Sequence, residues 1–305
     1  MSDAFAPCPG ESLETLPEWP EWLYGHAIAD EAFAAAHDAV SALERARIKQ
    51  AVARMFAAHD PGGPFAYRTA AGFEPDGLSV VRCGPRPFAL VAIGPEFASP
   101  ARLLAACLPA LRAKTPLVAV VRVNAKTPWP APLLAALELC GVESAFSLSA
   151  KNAGRLFSEL AATHPRGVVV DCGGAARVAT LLPTLPAAPS GSIGVWRSSA
   201  QRFDLEALAF AQAGCRVTVW GGAGGLPEGM AAGEGDFSDF LATGYEAVFV
   251  PRGKVDAALC AASGPELVLG PGMECFWAFA QVTVAAFVQM RTAYAARPQR
   301  AGRGI

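Results

Sequence analysis

Residues 88–123 read "FALVAIGPEFASPARLLAACLPALRAKTPLVAVVRV". Two continuous apolar runs, 88–94 and 116–123, bracket a Leu/Ala-rich stretch at 99–113. Short apolar runs without polar alternation mark strands buried on both faces. Ser99 offers a hydroxyl at a helix start, and Pro100 suits the first helical position. A strand, a helix and a strand at this spacing make a right-handed βαβ unit with its two strands parallel in one sheet.

The same rhythm extends in both directions. Downstream come a helix at 130–140 closed by Gly141, a strand at 143–149, a helix at 150–163 and a strand at 167–172. A Pro-rich link, "TLLPTLPAAPSG" (180–191), precedes a second series. That series has strands at 192–198, 216–220, 246–251 and 266–269, with helices at 204–214, 236–243 and 254–262. The last apolar stretch, "FWAFAQVTVAAFVQM" (276–290), is read as a buried helix, because it is too short to span a bilayer and is interrupted by Gln281, Thr283 and Gln289. Upstream, 78–83 reads as a further strand and 28–59 as an Ala-rich helix.

These elements imply an α/β fold of two adjacent lobes with mostly parallel sheets, preceded by an N-terminal helical segment. The expected boundaries are 1–75 for the helical segment, 76–185 and 186–295 for the lobes, and 296–305 for a frayed basic tail.

Composition narrows the function. The chain has 305 residues, 52% of them apolar and 17% charged, with a net charge of −2. A large core is therefore expected, and no nucleic-acid or membrane partner. Eight cysteines form no CxxC pair, which fits reduced thiols in a cytoplasmic protein. The N-terminus carries no apolar signal segment. Four histidines, His26, His37, His59 and His164, lack metal-ligand spacing, so no zinc site is expected.

In open parallel sheets, ligands gather beyond the carboxyl ends of the strands. That rule selects the loops at 94–100, 124–130, 171–177, 197–203, 221–229 and 270–275 as the lining of a small-molecule cleft. Within them, Gly94, Ser99, Asp171, Gly173, Gly174, Gly221 and Gly222 are the candidate cofactor contacts. "VVVDCGGAAR" (168–177) joins a strand end to a Gly-Gly turn, and "VTVWGGAGGLPEG" (217–229) is a Gly-rich loop without a following helix. A tight turn with close strand–helix packing is the favoured alternative for the first, and a plain mobile loop for the second. Arg82 with Arg86, and Arg197 with Arg202, are paired candidates for an anion, against the commoner reading of solvated arginines.

Cys275 and Glu274 are the catalytic candidates. A thiol in the first turn of a helix starting after Gly270-Pro271-Gly272 would gain nucleophilicity from the helix dipole. The neighbouring carboxylate and Phe276-Trp277 work against a thiolate, and a packing role for Cys275 is the favoured alternative.

The middle of the chain resembles histidinol dehydrogenase, which shares the aldehyde-dehydrogenase-like arrangement. The resemblance rests on "GPEFASPARLLAACLPALRAKTPLVAVVRV", "LLAALELCGVESAFSLSAKNAGRL" and "GVVVDCGG". Ser99, Pro109-Ala110, Ala135-Ala136 and Gly141-Val142 carry the matching steps, and the family's cofactor turn would fall at Asp171–Gly174. It implies NAD or NADP as cofactor and an oxidoreductase. This chain has Ser149-Ala150-Lys151-Asn152 where the family has Gly-Gly-Ala-Gln, and no histidine follows residue 164. The family's zinc ligands and Glu-His pair thus have no matching motif. Three readings stand open: a nicotinamide-linked oxidoreductase, a Cys275-dependent aldehyde or acyl oxidoreductase, and a non-catalytic binding protein on the same scaffold. A homodimer through the apolar final helix is a further expectation.

Overall fold

A computed structural model describes residues 17–59, 67–73, 77–174, 182–198, 201–222 and 224–296. Helices α1 (Asp30–Ala39) and α2 (Ala42–Ala58) come first. The single helix expected at 28–59 breaks at Val40-Ser41, because Ser41 turns extended and caps α2 in a box with Glu44. Strands β1 (Tyr67–Phe73) and β2 (Gly77–Pro85) follow. The first lobe comprises β3 (Phe88–Ile93), α3 (Pro100–Arg112), β4 (Leu117–Val123), α4 (Ala131–Cys140), β5 (Ala145–Leu148), α5 (Ala150–Thr163), β6 (Val168–Cys172) and β7 (Thr184–Pro186). The second comprises β8 (Ser192–Trp196), α6 (Leu205–Ala211), β9 (Arg216–Trp220), β10 (Met230–Ala232), α7 (Phe237–Ala242), β11 (Ala247–Phe249), α8 (Val255–Leu259) and β12 (Leu267–Leu269). Strand β13 (Val288–Ala296) is last.

Each lobe holds one five-stranded, all-parallel sheet, ordered β5-β4-β3-β6-β7 and β10-β9-β8-β11-β12. Counted from the first strand of its own lobe, each order is 3-2-1-4-5, the doubly wound order of mononucleotide-binding sheets. The Pro-rich link is less of a link than its composition suggests. Leu185 and its neighbours form β7 against β6, the fifth strand of the first sheet.

Helix α3 explains how the lobes join. Eleven of its thirteen residues are buried, so it has no solvent face. Leu103, Ala106, Cys107 and Ala110 pack on the first sheet, while Ala101, Leu104, Ala105 and Leu108 meet Ile193, Val195 and Phe249 of the second. A helix apolar all round is stable only between two partners. Helix α2 lies in the same layer through Ile48, Ala51 and Met55. Trp19 and Leu23 of the N-terminal segment cover the outer face of the first sheet beside α5. Helix α4 ends as its sequence foretells, with Gly141 at φ 84.

A third sheet, β1-β2-β13, is antiparallel and was not expected. Residues 78–83 do form a strand, but in this sheet. The final helix expected at 276–290 does not form. Residues 270–283 contain no regular element, a 3₁₀ turn spans Val284–Phe287, and β13 pairs along the whole of β2. The cause is legible in "QVTVA": Gln281, Thr283 and Ala285 are exposed while Val282 and Val284 are buried, a period of two. Of the tail expected at 296–305, Ala296 closes β13 and 297–305 lie outside the described residues. No helix among the described residues is long and apolar enough to cross a membrane.

Candidate functional site

The strand orders reverse between β3 and β6 in the first lobe and between β8 and β11 in the second. A ligand of this fold sits at such a reversal, with its phosphate on the helix that follows the first strand. In the first lobe the chain closes that place itself. Gly173, at φ 81, turns back so that it bridges Ile93 in antiparallel sense. A Cβ built on Gly94 would lie 2.9 Å from the Gly173 carbonyl oxygen, and one on Gly174 would lie 2.6 Å from the backbone of Ile93. Gly94, Gly173 and Gly174 are thus brought together, but by packing on one another. Asp171 lies one turn of chain earlier, its carbonyl accepting from the Ala187 amide at 2.9 Å. Residues 175–181, where a following helix was expected, lie outside the described residues.

Ser99 caps α3 as its sequence predicts, accepting from the Arg102 amide at 3.2 Å. It is fully buried, and its hydroxyl donates to the Ala211 carbonyl of the second lobe at 2.7 Å. The start of α3 therefore faces the end of α6. The residues present do not fit a dinucleotide pyrophosphate at this helix start.

Gly221 and Gly222 sit apart, in the second lobe beyond β9. There Arg197 Nη1 donates to the Gly222 carbonyl at 3.2 Å and to the Gly224 carbonyl at 2.9 Å. The loop turns carbonyl oxygens inward toward a cation, whereas a phosphate cradle turns N–H groups inward.

Cys275 and Glu274 lie where the chain leaves β12, packed against the first turns of α6. The helix expected to follow Cys275 does not form, so the dipole invoked for its thiol is absent. The Cys275 Sγ donates weakly to the Ala207 carbonyl at 3.7 Å. Burial pushes its thiol up to about 11, with Glu274 and Asp204 adding to the rise and Arg47 and Arg54 opposing it. Glu274 is buried and accepts from the Asp204 amide at 3.4 Å. Both side chains hold the 270–275 loop on α6, and among the described residues no His bonds to either.

Two arginines carry more of this region than sequence reasoning assigned them. Arg122, 2% exposed near the end of β4, donates to the carbonyls of Pro95, Thr127 and Pro128 at 2.8, 3.0 and 2.7 Å. It ties together two loops expected to line a cleft. Arg102, fully buried on α3, bonds both oxygens of Glu246 at 3.1 and 2.7 Å and lies 3.8 Å over the Trp277 ring. The signal was present in each case: a single arginine inside an otherwise apolar strand or helix must find acceptors within the core. Among the described residues no three His, Cys, Asp or Glu side chains converge on a possible metal position.

Comparison with solved structures agrees with the two-lobe topology. Histidinol dehydrogenase from Elizabethkingia anophelis superposes with a TM-score of 0.54 at 12% identity, over 89% of this chain and 77% of that one. The chain has a histidinol dehydrogenase-like fold. Aldehyde dehydrogenase 21 from Physcomitrella patens gives 0.45 at 10% identity, over 89% of this chain and 91% of that one. An NAD-dependent benzaldehyde dehydrogenase from Corynebacterium glutamicum gives 0.41 at 14%, over 88% and 90%. No family model and no curated protein matches the sequence. The resemblance seen in residues 90–175 thus extends, as a fold, across both lobes. At this identity the histidinol dehydrogenase-like fold speaks for architecture alone, since function resides in sites grafted on folds.

Proposed function

We propose that this chain is a binding protein on a dehydrogenase-like scaffold, in which the first lobe no longer serves a nicotinamide dinucleotide. One observation carries the reading: the start of α3 is buried in the junction between lobes, with the Ser99 hydroxyl bonded to the Ala211 carbonyl. The closure by Gly173 and Gly174 over β3 supports it, as does a Cys275 held as a neutral thiol. The nicotinamide-linked oxidoreductase remains the second reading. It is favoured by the doubly wound strand order in both lobes, and NAD or NADP would then have to bind by contacts other than the α3 start.

Calorimetric titration and thermal unfolding with NAD⁺, NADH, NADP⁺ and NADPH distinguish the two. A ligand present at a hundred times its Kd stabilises the native state by about 2.7 kcal/mol, a shift of several degrees. The binding reading expects no saturable heat and no shift from any of the four at millimolar concentration. A Kd below about 100 μM for one of them would replace it with the oxidoreductase.

A further inference from the structure

At the pole opposite the strand reversals, the chain entering β3, β4 and β6 meets β2 and β13 around a cavity of about 650 Å³. Pro85, Pro87, Pro116 and Pro165 form much of its wall. Prolines bring rigidity and no N–H, so this part of the wall leaves donation to the side chains around it. Those side chains are basic. Arg82, Arg166, Arg291 and His164 line the cavity, and no Asp or Glu does so among the described residues.

Three features make this a built recess. Arg82 and Arg291 are register partners on the antiparallel strands β2 and β13. Register partners share one face of a sheet, so the two side chains stand together at the cavity. Arg166 is held in place from behind. Arg86 donates from Nη1 to the Arg166 carbonyl at 3.0 Å and from Nε to the Ala286 carbonyl at 2.8 Å, pinning the turn after α5 to the segment that leads into β13. At the end of α5, whose carbonyls would repel an anion, two carbonyls are taken up within the chain. The His164 amide takes the Leu160 carbonyl at 2.7 Å, and the Thr163 hydroxyl takes that of Glu159 at 2.9 Å.

We infer that this cavity binds a phosphorylated small molecule, its phosphate held by Arg82, Arg166 and Arg291. Planar guanidinium forks match phosphate oxygens, and three of them suit a dianion. The volume is that of a pocket for an organic ligand, with room beyond the phosphate itself. A nucleic acid is a poorer match, because the net charge is −2 and these cations line a recess. The inference is independent of the dinucleotide question, since the cavity and the α3 start lie at opposite ends of the first sheet.

The test is calorimetric titration of the whole chain at constant ionic strength with pyrophosphate, glucose 6-phosphate and citrate. Saturable binding of glucose 6-phosphate or pyrophosphate, with citrate at least about tenfold weaker, is the expected result. Arg166→Gln and Arg291→Gln, both at exposed positions, should each weaken it by about tenfold or more, the loss of one charged hydrogen bond. Arg252→Gln in the second lobe should leave it unchanged. No saturable binding of either phosphate, citrate binding as tightly as both, or affinity indifferent to the two cavity substitutions would each overturn the assignment. Near-ultraviolet circular dichroism confirms that each variant is folded before titration.

Discussion

Replacing Arg102 by methionine tests how the lobes are held together. The side chain has no solvent exposure, and its partner Glu246 keeps 27%. The guanidinium makes two charged bonds to Glu246, at 3.1 and 2.7 Å, and one at 2.9 Å to the Ala188 carbonyl in the link between lobes. Methionine keeps most of the volume and the contact with Trp277, so a cavity contributes little. What is lost is the pairing. Breaking one side of a buried ion pair costs about 3–5 kcal/mol. The residual exposure of Glu246 lets water recover part of its solvation, which places the expected loss near the lower end, at about 3 kcal/mol. For a chain of this size that is a fall in Tm of roughly 5–10 °C. Thermal unfolding of the wild type, Arg102→Met, Glu246→Gln and the double variant forms a cycle, with an expected coupling of about 1–3 kcal/mol. A methionine variant within a degree of wild type, or a cycle that sums to zero, would refute the view that this pair fastens the lobes.

Other consequences are as direct. Cys107, Cys140, Cys172 and Cys275 are all held above 9.0 chiefly by burial, Cys140 to about 12 and Cys275 to about 11. The native state therefore keeps protons that the unfolded chain releases, and stability should be intact below about pH 8.5 and fall steadily as pH rises beyond it; a flat Tm from pH 8 to 10.5 would contradict this. At pH 7.5 iodoacetamide should modify exposed Cys260 well before Cys275, read by peptide mass spectrometry. Gly174→Ala should lower stability by roughly 2–3 kcal/mol in urea unfolding, because its Cβ would meet the Ile93 backbone at 2.6 Å. In hydrogen exchange, the amides of β13, whose residues from Met290 onward are exposed, should exchange faster than those of fully buried β3.

Much of this architecture was legible because a parallel sheet writes itself plainly. "FALVAI" and "RVTVW" are too short and too apolar to be anything but buried strands, and their alternation with helices leaves few topologies. The antiparallel sheet was less legible. Its strands "YRTAAGF" and "VQMRTAYAA" carry no continuous apolar run, and the second pairs with β2 across more than two hundred residues, with no hairpin to announce that partnership. The segment at 276–290 has the mean hydropathy of a buried helix but, over 281–285, the period of an extended chain. The recess of Arg82, Arg166 and Arg291 is not legible as a whole, since its three arginines come from three distant stretches. The sequence pairs Arg82 with Arg86, and Arg86 braces the wall.

The closure at α3 was, by contrast, deducible. "PARLLAACLPALR" has apolar residues on opposite faces of one helix, at Leu103, Ala106 and Ala110 on one side and Ala101, Leu104 and Leu108 on the other. Such a helix needs partners on both sides, and in this chain the second partner can only be the other lobe. A helix clamped between two sheets along its whole length has its first turn inside the clamp as well. The cap that looked like an invitation to a phosphate, Ser99, then had to find its acceptor within the protein, and it did so at Ala211. The same burial that makes the fold stable thus removes its most obvious place for a dinucleotide. This follows from α3 alone, and it would hold for any relative of this fold whose corresponding helix carries apolar residues on both faces through its first turn.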